Sequence, residues 1–283
     1  MKNNMERLVK ELQERFGEEY EVVSVKVPKN KEVLDGFQIS RRCTGYGIIF
    51  YPNFEREPDN YADFWEPIIK KYFKKGLPVD LGEILKPEFI LSHLQMRLVP
   101  ISRNEELLKQ YKNVIVPELD LAILFNVNLN KEIDMLIPTK YKGLDVSDEE
   151  LYRKAYENDA DKGYKTMSLD EAANTNGEIG GGDIDDPWCM RVIRNAKGEA
   201  YGSSVLLHKD VLQKYADELG TSLILIPSSV HELIYIRDSA DEAELDILQT
   251  DLLIGNRAMP DQYILSSHLY RFDRDTQEVT IVR

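Results

Sequence analysis

The chain has 283 residues, of which 42% are hydrophobic and 30% are charged, and its formal net charge is −14. This apolar content supports a packed core and excludes a fully disordered protein. No apolar run approaches the roughly 18 residues that a transmembrane helix needs, and residues 1–10 lack the apolar stretch of a secretion signal. The excess of acids argues against direct binding to nucleic-acid phosphates, which are contacted mainly by Lys and Arg. We therefore expect a cytoplasmic protein without a membrane segment.

Neither the cysteines nor the glycines form a recognisable cofactor motif. Cys43 and Cys189 lie far apart and have no partners at metal-binding spacing, so free thiols in a reducing compartment are expected. The glycine-rich stretch at residues 177–182 lacks the lysine and the spacing of nucleotide-binding loops, and its acidic neighbours would repel phosphate. We therefore predict no cofactor.

The N-terminal part of the chain predicts a helix followed by a small antiparallel sheet. Apolar side chains recur at helical spacing from Met5 to Phe16, and Gly17 is a typical helix stop. Strand-like runs follow at residues 20–27, 33–40 and 46–51. Two further helices are predicted at residues 59–75, interrupted by Pro67, and at residues 79–95.

Residues 119–130 give the clearest strand signal, because strongly apolar side chains occupy every second position. We predict a strand with one apolar face. Asp120 stands at its start, and we interpret it as a surface acid, since carboxylates are seldom buried without a partner. The alternative is an acid that faces a site.

An acidic region follows the middle of the chain. Ser147 and the three acids after it predict an N-cap and a helix to about residue 158. Residues 144–186 contain 13 acidic and 4 basic residues, so they carry −9 of the net charge of −14. Within them, residues 159–186 are rich in Gly and Asp, and we predict a loosely packed acidic insert there. Candidate ligands for a hard cation such as Ca²⁺ are Asp183, Asp185 and Asp186, although they lack the spacing of a calcium-binding loop.

The C-terminal part predicts hairpins and helices around a central strand pair. Helices are expected at residues 209–219, ended by Gly220, and at residues 241–255. Hairpins are expected from residues 187–194 with 201–207, and from residues 269–273 with 278–282.

The central strand pair is predicted at residues 221–236. Apolar runs at residues 222–226 and 233–236 flank a polar segment that follows Pro227. This segment, Ser228-Ser229-Val230-His231-Glu232, lies where a buried sheet would meet the surface. The candidate site residues are therefore Ser228, Ser229, His231 and Glu232.

Two kinds of chemistry fit this segment in part. His231-Glu232 matches the start of a zinc-binding His-Glu-x-x-His motif, but Tyr235 stands where the second His belongs, which leaves His231 as a lone metal candidate. A hydrolase would use Ser228 or Ser229 as nucleophile and His231 as general base. Glu232 would then be the partner of His231 or a metal ligand, and Asp120 an orienting acid.

A structural interpretation of the same segment is simpler. The serines would hydrogen-bond the backbone of a turn, and His231 would pair with a nearby carboxylate. Ser266-Ser267 followed by His268 partly repeats the pattern. Convergence of His231 and His268 in the fold would create a two-histidine site.

Several stretches together resemble an uncharacterised bacterial family, a domain of unknown function. The most specific of them is a Pro-Ser-Ser-(Val/Ile)-His-Glu element, present here as Pro227-Ser228-Ser229-Val230-His231-Glu232. Individually weaker matches cover most of the chain: Val27-Pro28-Lys29-Asn30, Arg97-Leu98-Val99, Leu119-Asp120-Leu121-Ala122, Tyr201-Gly202-Ser203 and Tyr270-Arg271-Phe272-Asp273-Arg274. This chain departs from the family pattern at residues 159–186. The resemblance implies a common fold unit and no particular reaction.

We predict an α+β fold with mixed, mainly antiparallel sheets flanked by helices. The chain is expected to form one domain, or two units at residues 1–96 and 97–283. Our main functional hypothesis is a non-catalytic protein that binds a basic protein surface through residues 144–186 and the acidic helix at residues 238–251. The alternatives are a hydrolase or metal-assisted enzyme centred on the Ser-Ser-Val-His-Glu turn, and an acidic mimic of nucleic acid in an anti-defence role.

Overall fold

The computed structural model describes residues 2–29, 32–42, 47–74, 86–128, 134–141, 144–173, 189–198, 200–239 and 241–283. It has an α+β fold in which all described strand pairs are antiparallel, which confirms the predicted fold class. Contacts between Cα atoms divide the chain into two compact units, residues 1–81 and 82–283. Among the described residues, no helix is both long enough and apolar enough to cross a membrane.

The N-terminal unit packs two helices against a three-stranded sheet. Its elements are α1 (Lys2–Phe16), β1 (Tyr20–Lys29), β2 (Glu32–Arg41), β3 (Gly47–Phe50) and α2 (Tyr61–Lys74). The sheet order is β1-β2-β3, as the sequence predicts, and Gly17 ends α1 with a φ of 68°. Aromatic rings fill the core, where Phe37 stacks on Phe50 and meets Trp65 edge-on. Pro67 lies inside α2.

The strands of the C-terminal unit form two sheets. Their bounds are β4 (Leu94–Pro100), β5 (Asn113–Val116), β6 (Leu121–Asn128), β7 (Asp134–Leu136), β8 (Tyr164–Ser168), β9 (Arg191–Asn195), β10 (Leu223–Ser229), β11 (Glu232–Arg237), β12 (Tyr270–Phe272) and β13 (Val279–Ile281). The smaller sheet has the order β4-β6-β5, and β7 also pairs with β6. The larger sheet has the order β13-β12-β10-β11-β9-β8.

Helices and short 3₁₀ turns connect these strands. The α-helices are α3 (Pro87–Ser92), α4 (Glu105–Gln110), α5 (Asp148–Lys162), α6 (Leu169–Ala173), α7 (Lys209–Leu219) and α8 (Glu242–Ala258). The 3₁₀ helices are Ile101–Arg103, Pro117–Leu119, Gly202–Leu207 and Asp261–Tyr263. Ser147 caps α5 by accepting the Glu150 N–H at 3.1 Å, and Gly220 ends α7 with a φ of 70°, both as predicted.

The predicted division after residue 96 falls within β4, which pairs along its whole length with β6. The two-domain organisation stays a prediction, because compactness alone does not establish that a unit folds independently. The prediction of a helix over residues 79–95 lies partly outside the described residues. Its described end is the short helix α3, after which the chain enters β4 at Leu94.

The predicted central strand pair is present as the hairpin β10–β11, near the middle of the larger sheet. One of its faces, with Leu225 and Leu233, joins the main core, to which Ile123 and Phe125 of β6 also belong. The two sheets therefore share one apolar interior. The other face of the hairpin packs against the buried side of α8. Burial on both faces explains why these two runs are apolar almost throughout.

The prediction of one apolar face for β6 is wrong, because both faces are buried. Residues 121–127 are all buried in the structure. The odd-numbered side chains enter the main core, while Ala122 and Leu124 pack with Val99 and Leu107 on the other side. Alternating patterns identify a strand, but they identify a solvent-facing side only where the second set of side chains is clearly polar.

The predicted loose insert is wrong for residues 159–173. Asp159 lies inside α5, is 1% exposed and accepts a hydrogen bond from the Met96 N–H at 3.2 Å. The chain then forms β8, which pairs with β9, and the short helix α6. A locally acidic composition does not distinguish an exposed carboxylate from one that satisfies a buried backbone donor. Residues 174–188 lie outside the described residues, and with them Asp183, Asp185 and Asp186.

The predicted hairpin between residues 187–194 and 201–207 is also wrong. β9 pairs instead with β8 and β11, and Gly202–Leu207 is a buried 3₁₀ helix. Tyr201 precedes this helix with a φ of 64°, a left-handed conformation that cannot continue a strand. Gly202 lies so close to two neighbouring segments that an added Cβ would be 2.6 Å from both Asn195 N and His231 O. The segment therefore fits between β9 and the β10–β11 turn.

We predict that Gly202→Ala destabilises the protein, because the atoms that a Cβ would meet belong to backbone and cannot rotate away. The expected loss in the free energy of unfolding is about 1–3 kcal/mol, measured by urea denaturation. Gly255→Ala is the matched control, since its Cβ would meet nothing within 4 Å and its position in α8 favours alanine. Equal changes for the two variants would contradict the packing argument.

His208 is a second feature with a measurable consequence. It is 0% exposed, its ring stacks on Tyr156 with centroids 4.1 Å apart, and neither ring nitrogen has a hydrogen-bond partner among the described groups. Burial lowers the pKa of His208 from 6.5 to about 4. The folded protein therefore holds this side chain neutral where the unfolded chain would protonate it.

We predict that His208→Phe weakens the loss of stability on acidification. As the pH falls from 6.5 to about 4, the unfolded chain binds a proton at His208 and the folded protein does not. The folded state therefore loses up to about 3 kcal/mol over this range, and the Phe variant should avoid that loss. Urea denaturation at both ends of the range measures it, with His93→Phe, at a half-buried histidine, as the control. If the free energy of unfolding of His208→Phe changes with pH as it does in the wild type, this explanation is wrong.

Candidate functional site

The four predicted site residues lie together at the turn between β10 and β11. Strand pairing is regular up to Ile226 and resumes at Ser229, opposite Glu232, so the ladder is irregular at Pro227. Proline has no N–H to donate, which accounts for the break. The polar segment therefore leaves the buried sheet where the sequence predicts.

Both serine hydroxyls form hydrogen bonds within the turn. Ser229 Oγ accepts the backbone N–H of His231 at 3.1 Å. Ser228 Oγ donates to Glu232 Oε1 at 3.2 Å, and the other oxygen of Glu232 pairs with Arg194 on β9. In the described contacts, neither hydroxyl meets the imidazole of His231. This geometry fits the structural interpretation of the serines better than activation of a nucleophile.

The imidazole of His231 is half-buried and its tautomer is defined by one hydrogen bond. Nδ1 accepts the backbone N–H of Tyr201 at 3.2 Å, so the neutral ring carries its proton on Nε2. The ring centroid lies 5.6 Å from that of Tyr201 and 5.5 Å from that of Tyr263. Burial, and then the positive charge of Arg97, lower the pKa of His231. The side chain is therefore neutral near pH 7 and offers an N–H donor on Nε2.

A polar cluster with a buried centre at Arg97 and Tyr201 lies beside His231. We name it the Arg97 cluster; it consists of Arg97, Asp134, Tyr201 and His231. The guanidinium carbon of Arg97 is 5.2 Å from the centroid of the Tyr201 ring. The Tyr201 hydroxyl donates to Asp134 Oδ2 at 2.5 Å. Burial raises the pKa of Tyr201 well above its usual range, although the charge of Arg97 acts in the opposite direction.

Asp120, which the hydrolase alternative made an orienting acid for His231, has a different histidine as its neighbour. It ends the 3₁₀ helix Pro117–Leu119 with a φ of 53°, so it precedes β6 and does not begin it. Its Oδ2 is 3.6 Å from Nε2 of His268, whose Nδ1 lies 3.0 Å from the carbonyl oxygen of Arg283. The structure therefore pairs Asp120 with His268, where the sequence suggested an orienting role for His231.

Asp120 and His268 line a cavity of about 200 Å³, which we name the Asp120 pocket. Its other lining residues are Pro100, Ser102, Arg103, Ile264, Ser266 and Ser267. The Tyr270 hydroxyl connects two segments that line the pocket. It donates to the Leu119 carbonyl, next to Asp120, at 3.0 Å and lies 2.8 Å from Ser266 Oγ. The repeated Ser-Ser and His pattern of the sequence thus belongs to two separate polar sites.

The two histidines do not share a ligand set in the described contacts. His231 follows β10 and His268 precedes β12. Because these two strands are antiparallel neighbours, both histidines lie beyond the same end of the strand pair. Their imidazoles nevertheless have different partners. Among the described residues, no group of three or more His, Cys, Asp or Glu side chains is arranged to hold a metal ion.

Sequence reasoning missed Arg97 and Tyr201 as site residues. A signal for Arg97 was present, because it is a single charged residue in the apolar run from Met96 to Val99. Tyr201 carries only a weak signal, its position before Gly202, where the chain needs a glycine. Their proximity to His231 depends on strands that are far apart in the sequence.

Comparisons with known proteins place the chain in a family. No curated protein and no solved structure matches it. One family model matches residues 1–274 and is described as a family of unknown function. The match includes both compact units, and it confirms the resemblance to a domain of unknown function. Because the model covers nearly the whole of its 283 residues, the chain belongs to the family of unknown function DUF5688.

Proposed function

We propose that the protein is a non-catalytic binding protein that holds a basic protein partner against the solvent face of α8. The observation that carries this proposal is the exposure of Ile247 and Ile254, at 58% and 57%. The two isoleucines are about two turns apart on one side of the helix, with the exposed Asp251 between them. The opposite side of the helix enters the core through Leu245, Leu248 and Leu252.

The exposed isoleucines need an explanation because α8 already has a buried apolar side. A helix that packs on one side normally presents polar residues on the other. Two large aliphatic side chains that recur on the outer face are typical of a docking surface. Leu253, 38% exposed, adds to this apolar area.

Charge defines the kind of partner. The α8 segment contains Glu242, Glu244, Asp246 and Asp251 but one basic residue, Arg257. Part of this charge is used internally, since Arg283 pairs with Glu242 and Asp246, and Glu244 completes the capping box with Asp241. Asp251 makes no ion pair with any described residue, and it lies between the two isoleucines. A partner that presents Lys or Arg beside an apolar patch complements this face.

The second predicted contact, residues 144–186, receives less support from the described residues. Asp159 is buried, Asp148 pairs with Lys112, and Glu157 pairs with Arg153 and Lys154. These acids have internal roles. We therefore place the contact on α8.

The alternatives have weaker support. At the β10–β11 turn both serine hydroxyls and His231 Nδ1 are occupied by hydrogen bonds, which favours a structural role over hydrolysis. Mimicry of nucleic acid rests on the net charge alone. The exposed isoleucines favour a protein surface as the partner, because a nucleic-acid mimic would present charge at these positions.

The test compares capture of basic proteins by the full-length chain and by the double variant Ile247→Ser/Ile254→Ser. The wild type should retain a basic protein at low salt, release it at high salt, and form cross-links to it from α8. The double variant should retain about a tenth as much or less, because buried aliphatic anchors contribute most of the affinity at such surfaces. Quantitative mass spectrometry of the bound fraction measures both.

Ile115→Ser is the matched control, since Ile115 is 47% exposed on β5 and lies outside the proposed surface. It should bind like the wild type. The proposal fails if no basic protein is retained by the wild type, if binding is indifferent to salt, or if the double variant and the control lose the partner equally.

A further inference from the structure

Arg97 is a buried cation without an acidic partner among the described residues. It is 5% exposed, and its Nε has no hydrogen-bond partner in the described part of the chain. The nearby carboxylate of Asp134 accepts the Tyr201 hydroxyl. A buried charge without a counter-charge is strongly unfavourable, and contact with the Tyr201 ring compensates only part of that cost. The described residues therefore leave this arginine with an unmet capacity for an anionic partner.

Two amide side chains lie on the same sheet face as Arg97. The pairing of β4 with β6 sets Gln95 opposite Asn126 and Arg97 opposite Leu124, so these side chains project to one side. Gln95 and Asn126 are each 1% exposed. Gln95 Nε2 donates to the Ala200 carbonyl at 2.6 Å, but Gln95 Oε1 and Asn126 Oδ1 accept no hydrogen bond from the described protein groups. The face thus combines one unpaired cation with two unused acceptors.

We propose that Gln95, Arg97 and Asn126 form a binding site for a small hydroxylated or aminated oxyanion. The ligand's carboxylate or phosphate would sit on the planar fork of Arg97, which matches such groups with parallel hydrogen bonds. Its hydroxyl or amino groups would donate to the two amide oxygens. An anion without donors would leave both oxygens unpaired, so the site should discriminate between a bare anion and a hydroxylated one.

The β10–β11 turn supplies one side of this site. His231 presents its Nε2 proton as a further donor for an anion, and the charge of Arg97 already lowers its pKa. Tyr263, whose ring neighbours His231, is 39% exposed, so this side of the cluster adjoins solvent. The β10–β11 turn would then contribute to the site by positioning His231 on its solvent side. This inference is independent of the α8 surface.

The experiment measures binding to the full-length protein by isothermal titration calorimetry and thermal melting. The probes are glycerate and glycerol 3-phosphate, with acetate and sulfate as anions that carry no hydrogen-bond donor near pH 7, all at equal ionic strength. We expect saturable binding and a raised Tm with at least one hydroxylated probe. The bare anions should bind at least about tenfold more weakly.

Arg97→Met tests whether the guanidinium group of Arg97 binds the oxyanion. We expect about a hundredfold loss of affinity, while the ligand-free variant melts at or above the wild-type temperature because a buried unpaired charge has been removed. Arg103→Met is the matched control, since Arg103 is a half-buried arginine of the Asp120 pocket, and it should bind like the wild type. If Arg97→Met does not fold, Arg97→Lys keeps the charge, loses the fork and should bind about tenfold more weakly.

Asn126→Leu removes the acceptor oxygen of Asn126 and leaves the charge of Arg97 in place. It should reduce the preference for hydroxylated over bare anions, with little effect on the binding of sulfate. Shifts of the His231 resonances on addition of the probe locate the ligand beside the turn. The proposal is overturned if neither hydroxylated probe binds saturably, if Arg97→Met or Arg97→Lys binds as tightly as the wild type, or if the His231 resonances do not move.

Discussion

The close contact of the Tyr201–Ser203 segment with the β10–β11 turn is the constraint on which the candidate site depends. Gly202 lies against the backbone of both Asn195 and His231, and any side chain at this position would separate them. Ser203 Oγ donates to the Val230 carbonyl at 2.7 Å, and the Tyr201 N–H reaches His231 Nδ1. These contacts join three parts of the chain: the end of β9, the 3₁₀ helix Gly202–Leu207 and the turn. The turn is thus held by close backbone packing at Gly202 and by two hydrogen bonds, which restrict its movement.

This arrangement sets what the polar residues can do. His231 is fixed as an acceptor at Nδ1 and a donor at Nε2, and the serines are occupied within the turn. The same segment places the Tyr201 ring over Arg97. In sequence the polar turn resembles a catalytic motif. In the structure it lies beside a cluster whose two charged members, Arg97 and Asp134, come from the other sheet. The anion-site proposal follows from this difference, because the serine hydroxyls of the turn have hydrogen-bond partners while Arg97 Nε has none among the described groups.

Features that depend on local chemistry could be predicted from the sequence. The hairpin β10–β11, the cap at Ser147 and the stop at Gly220 each follow from residues within a few positions of one another. Features that depend on distant partners could not. The acid at residue 159 looks like part of a solvated run until Met96 supplies a buried N–H, and the second buried face of β6 appears only once α4 covers it. Arg97 is the extreme case, since its neighbours Asp134 and Tyr201 come from segments that no local pattern connects.

The free-energy cost of burying Arg97 indicates that this residue has a role other than stabilising the fold. A protein that needed only stability would replace this side chain by an apolar one, because apolar residues already fill the same face at Val99, Ala122 and Leu124. Gln95 and Asn126 are also unfavourable for stability, because each buries a side-chain oxygen that an aliphatic residue would not have. Three unfavourable choices on one strand pair are difficult to explain by folding alone. They are explained together if an anion with hydrogen-bond donors binds there and compensates the free-energy cost of burying these groups.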